Sequence, residues 1–131
     1  IGWVEELYMN CNFEYLSEIN LYFIREINKY LNINTEIRFS KDFDLDEDRN
    51  QRLINICKDL NATDYYSGPA AKFYMDEDLF NNNNIKVHYF NYSNFEKYVQ
   101  LHGDFEEGVS IFDLIFNKGT NSINFLNKTK L

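Results

Sequence analysis

Helix-period and strand-period signals alternate along this chain, and that alternation restricts it to a mixed α/β architecture. Phe13, Leu16, Ile19, Phe23, Ile27 and Leu31 recur at three- and four-residue steps, as they would on one face of a helix. Asn32-Ile33-Asn34 ends that helix, because Asn tolerates the left-handed backbone that follows many helix C-termini. Thr35–Ser40 alternates and predicts a short strand. An acidic run, Asp42, Asp44, Asp46, Glu47 and Asp48, reads as a solvated loop. Asp46 or Asp48 caps the next helix, which reaches Leu60 with Leu53, Ile56, Cys57 and Leu60 on its inner face.

Asp64-Tyr65-Tyr66 predicts another short strand. Ser67-Gly68-Pro69 closes it and opens a helical turn, with Pro at the favoured first position. A second turn starts near Asp76 and carries Leu79 and Phe80. Ile85–Phe90 is the clearest strand, with Ile85, Val87 and Tyr89 on one side and Lys86, His88 and Phe90 on the other. Asn91 to Gly108 is a long irregular connection, a length usually tied to function. Ser110-x-x-Asp113 has the spacing of a capping box, with Asp in place of Glu or Gln. The helix it opens runs to Asn117, with Ile111, Leu114 and Ile115 inward and Gly119 as its stop. Beyond Thr120 the tail is polar except for Ile123, Phe125 and Leu126. The expectation is a single α/β domain over residues 1–131. It should hold a small, mainly parallel sheet of about three strands flanked by helices.

Composition narrows the partners. The formal net charge is −8, which disfavours a nucleic-acid backbone and an anionic membrane surface. No apolar run approaches the roughly 18–20 residues that span a bilayer. Cys11 and Cys57 have no zinc spacing, and Cys57 falls on the apolar side of its helix. Two cysteines give no disulfide scaffold, so a reducing, cytoplasmic setting is expected. No HExxH or Cys/His metal spacing, no Walker loop and no dinucleotide-type glycine spacing occurs, so no metal and no cofactor is expected; no G-x-S-x-G elbow marks a serine nucleophile.

The candidate site residues stand at strand ends, helix starts and in the long connection. Ser67 and Gly68 precede a helical turn whose free N–H groups suit an anionic group, and Lys72 adds a positive charge one turn on. A capped helix start beside a surface lysine explains the same residues. His102, between Gln100 and Asp104, suits a general base oriented by a carboxylate, or a loop histidine bonded to backbone. Asp113 and Ser110 read either as site groups or as caps. Among the many tyrosines, Tyr65 and Tyr74 are the candidates for a ligand pocket, the others for core and edge packing. His88, on a strand, reads as structural.

Several blocks together resemble one family. They are Ala62-Thr63-Asp64-Tyr65-Tyr66-Ser67-Gly68-Pro69, Asp78-Leu79-Phe80, and Ile85-Lys86-Val87. They continue with Tyr98-x-Gln100-Leu101-His102-Gly103-Asp104-Phe105-Glu106 and Ser110–Asn117. They are similar to the C-terminal part of the WbqC-like proteins. That family's N-terminal block has no counterpart here, and the chain opens on Ile rather than Met. The resemblance therefore implies the C-terminal portion of a longer protein, with the N-terminal half as an intramolecular partner. It also implies a bacterial cytoplasmic protein of surface-polysaccharide (O-antigen) biosynthesis. On this basis the expected function is modification of a sugar-nucleotide by transfer of a small acyl or aminoacyl group to an amino-sugar, His102 handling protons with Asp104 or Asp113 as orienter. The alternative is a non-catalytic binding or assembly module of the same pathway. Self-association is left open.

Overall fold

The chain runs through α1 (Gly2–Met9), α2 (Leu16–Tyr30), α3 (Arg49–Asp59), β1 (Asp64–Ser67), α4 (Glu77–Asn82), β2 (Lys86–Tyr89), α5 (Ile111–Lys118) and α6 (Ser122–Leu126). Short 3-10 turns lie at Ser40–Asp42, Pro69–Phe73 and Gly119–Asn121. This computed structural model describes residues 2–92 and 96–126. Residues 93–95 of the long connection and the tail beyond Leu126 lie outside the described residues. Two compact units result: residues 2–36 with 96–126, and residues 37–92.

Asparagine terminates three of the helices. Asn32, Asn61 and Asn84 have φ of 56°, 52° and 60° after α2, α3 and α4. In each case the next residue's N–H reaches back five positions: Ile33 to the Asn28 carbonyl, Ala62 to Cys57 and Ile85 to Phe80, at 2.8, 2.8 and 3.1 Å. This is the Schellman arrangement, with Asn in the left-handed position that glycine usually fills.

In the second unit the strands pair in parallel, with Tyr65 opposite Val87 and Tyr66 opposite His88. The Pro69–Phe73 turn and α4 form the connection between them. Below the sheet, Ile54, Cys57, Phe80 and Ile85 are buried, with Leu53, Tyr65, Leu79 and Val87 packed around them. Asp48 caps α3, accepting the Gln51 N–H at 2.8 Å, and Asp46 accepts the Asp48 N–H at 2.9 Å. Asp76 caps α4 by accepting the Leu79 N–H at 3.0 Å. The acidic run thus contributes a helix start as well as solvated charge.

Some expectations change. The sheet has two strands among the described residues rather than three. Thr35–Ser40 is not a strand. Among the described residues it joins no ladder, and it ends in the 3-10 turn, where the Asp42 carboxylate accepts the Phe39 N–H at 3.2 Å. Alternation marks a half-buried surface, but a strand also needs a neighbour to accept its hydrogen bonds. On α3 the fully buried position is Ile54, while Leu60 turns outward. Helix α2 begins at Leu16, and both Phe13 and Leu16 are exposed.

In the first unit, Leu7, Leu31, Leu114 and Ile115 are buried. Tyr8, Phe23 and Phe112 bring α1, α2 and α5 into ring contact, with centroids 4.9 to 6.4 Å apart. Helix α6 docks through Ser122, fully buried, whose hydroxyl donates to the Leu114 and Gly119 carbonyls at 3.2 and 2.6 Å.

Candidate functional site

The first unit encloses a cleft of about 910 Å3 between α1, the C-terminal end of α2, the loop after Gln100, and α5. Each wall has a local cause. The first turn of α1 supplies Trp3, Val4 and Glu5, and the last residue of α2 supplies Tyr30. Trp3 stacks on Tyr30 with ring centroids 4.2 Å apart and planes 23° from parallel. Helix α5 contributes Asp113, Ile115, Phe116 and Asn117, and the loop contributes Leu101 and His102. Gly119, at φ 57°, turns the chain beneath Tyr30.

The loop is closed by a side chain that imitates a strand pair. Gln100 donates through Nε2 to the Glu106 carbonyl at 2.9 Å and accepts the Glu106 N–H at 2.7 Å. Glu106 in turn accepts the Gly108 N–H at 2.8 Å. The same Gln100 amide donates to Asp113 Oδ2 at 2.9 Å, and the Tyr98 hydroxyl donates to that oxygen at 2.6 Å. These two hydrogen bonds, the Tyr98 bond first, hold the Asp113 carboxyl below its usual range. Burial, and then the bond to Asp113, pushes the Tyr98 phenol up. The proton therefore stays on the phenol and the negative charge on Asp113.

Asp113 is accordingly not the second half of a capping box. Ser110 does cap α5, its Oγ accepting the Phe112 N–H at 3.3 Å. The Asp113 carboxylate is committed to Tyr98 and Gln100 instead of turning back to the Ser110 N–H. A residue 15 positions away outcompetes the local partner because the phenol is the stronger donor.

Of the predicted site residues, His102 and Asp113 line this cleft, and Gln100 bonds to Asp113. Asp104 is exposed and does not line it. No hydrogen bond joins His102 to either carboxylate among the described residues. Ser110 borders a smaller apolar hollow with Tyr98, Phe105, Leu114 and Phe125. Ser67, Gly68, Lys72, Tyr65 and Tyr74 belong to the second unit. There Tyr65 packs on Phe80 with centroids 5.5 Å apart, and Lys72 Nζ lies 4.9 Å from the centre of the Tyr89 ring. The Arg49 guanidinium covers Tyr74 at 4.7 Å.

Sequence reasoning missed Trp3, Glu5 and Tyr30. A signal was present only for Tyr30, which flanks the apolar stripe at the end of α2. It also took His88 as structural without a partner. His88 Nε2 meets Asp64 Oδ1 at 2.7 Å, Thr63 donates to the other oxygen at 2.7 Å, and Tyr66 stacks on the imidazole at 4.5 Å. Strand alternation put His88 on one face with Lys86 and Phe90, but the register that sets Tyr66 opposite it was not legible.

Comparison with known proteins decides the family. Residues 1–125 match the WbqC-like protein family. The chain belongs to the WbqC-like family. This WbqC-like chain is also similar to an uncharacterized protein, Rv1507c, of Mycobacterium tuberculosis, with 38% identity over 124 residues. The match covers 95% of the chain and 54% of that relative, so the chain spans about half the relative's length. No solved structure matches it. No described helix is long and apolar enough to cross a membrane.

Proposed function

We propose that the cleft is a carbohydrate site, and that this WbqC-like chain serves bacterial surface-polysaccharide (O-antigen) biosynthesis in the cytoplasm. The reaction proposed is acyl or aminoacyl transfer to the sugar of a sugar-nucleotide. One observation carries the reading: stacked Trp3 and Tyr30 share a cleft of about 910 Å3 with His102, Asp113 and Asn117. Flat rings take the C–H face of a pyranose, while carboxylate and amide groups take its hydroxyls. His102 is the group for proton transfer, because an imidazole has one ring nitrogen that can accept a proton and one that can donate it. Ser67, Gly68 and Lys72 are the candidates for an anionic group. The N-terminal half of the longer protein, supplied by the same chain, is the proposed partner.

A second reading, a non-catalytic binding or assembly module, is favoured by one feature. No carboxylate among the described residues orients His102. Turnover of sugar-nucleotide with an acyl donor by the full-length protein separates the two. The transferase reading expects His102→Ala to abolish turnover while ligand binding persists. Unchanged turnover in that variant overturns the catalytic role.

A further inference from the structure

We propose that the cleft selects a sugar bearing a free, protonated amino group, recognised by Asp113. This rests on the reading of the cleft as a carbohydrate site and narrows its ligand.

The cleft is charged in one sense only. Glu5 and Asp113 contribute carboxylates, and no Lys or Arg lines it among the described residues. Lys118, next along α5, is engaged elsewhere: its Nζ lies 5.3 Å from the centre of the Phe125 ring. A phosphate or carboxylate within the cleft would meet negative charge with nothing to offset it, so only the sugar of a sugar-nucleotide suits it and the phosphates stay outside, whereas an ammonium would be attracted. Asp113 is also prepared for such a partner. Tyr98 and Gln100 both bond to Oδ2, which fixes the carboxylate plane, and the Asn117 side chain also helps hold the carboxyl ionised. A carboxylate held ionised in one orientation binds an ammonium without first losing rotamer freedom. The Trp3 ring adds a face that attracts a cation as readily as it covers a pyranose. N-acylation of the sugar would remove the charge and the donors that Asp113 reads.

Titration calorimetry on the full-length protein at neutral pH tests this with glucosamine, N-acetylglucosamine and glucose. Glucosamine should bind about tenfold tighter than the other two, as loss of one charged hydrogen bond implies. Asp113→Asn, which keeps the shape, should bring the three sugars to within about twofold of one another. Glu5→Gln provides a second variant, expected to shrink the preference should Asp113→Asn fail to fold. Equal affinities in the unaltered protein overturn the inference and leave the carbohydrate reading standing. A preference that survives both substitutions overturns the assignment to these carboxylates. Binding of none of the three sugars overturns the carbohydrate reading itself.

Discussion

The Tyr98 hydroxyl donates to Asp113 Oδ2 at 2.6 Å and so ties the start of an irregular loop to the first turn of α5. Gln100 adds a second bond to the same oxygen and closes the loop on Glu106. One carboxylate therefore organises both the loop that carries His102 and the polar wall of the cleft.

Tyr98→Phe should loosen that loop while leaving the second unit unaffected. The phenyl ring keeps its packing against Phe105 and Phe125, so the loss is confined to the hydrogen bond. Limited proteolysis at neutral pH should then cut between residues 100 and 108 faster than in the unaltered protein. Unchanged cleavage would show that the bond does not hold the loop.

The same pair makes loop closure depend on pH at both extremes. The Asp113 carboxyl is depressed, so its contribution is present above its unfolded value and is lost as pH falls through its folded value. The Tyr98 phenol is raised, so its contribution is present below its unfolded value and is lost as pH rises through its folded value. The side-chain amide resonances of Gln100 should hold one position through the neutral range and move at the acid and alkaline ends.

In the second unit, Tyr89 donates to Glu77 at 2.8 Å. Burial, followed by that hydrogen bond, pushes its phenol up to about 12. Spectrophotometric titration should show one tyrosine ionising late that Glu77→Gln moves to lower pH. The sign follows from removing both the negative charge and a strong acceptor.

Gly119 stops α5 at φ 57°, ψ −137°, a region that side chains other than glycine's avoid. A Cβ there would lie 3.9 Å from the Tyr30 hydroxyl, an ordinary contact. The cost of Gly119→Ala is thus backbone strain, about 1–3 kcal/mol, measurable by denaturant unfolding.

What was legible in the sequence was local. Asp48 and Ser110 announced helix starts, Asn32 a helix end, and the alternation at Ile85–Phe90 a strand. Thr35–Ser40 carried the same alternation and failed, since among the described residues no strand lies beside it to accept its hydrogen bonds. Helix α1 is only eight residues long, too short for its period to stand out. Ser122 looks polar but is fully buried because two carbonyls satisfy its hydroxyl. For the site, His102 and Asp113 could be singled out by type and position. Their meeting with Trp3 and Tyr30 could not, because it depends on how α1 and α2 pack against α5.

Trp3 is the sole tryptophan of the chain and forms one wall of the cleft, so its emission reports directly on occupancy. Titrating the full-length protein's Asp113 form and its Asp113→Asn variant with glucosamine, with any added Trp masked by substitution, is the most direct test. Trp3 emission should change saturably, and the variant should require higher sugar. No change at Trp3 up to concentrations where calorimetry shows binding would contradict it, because the sugar would then sit elsewhere.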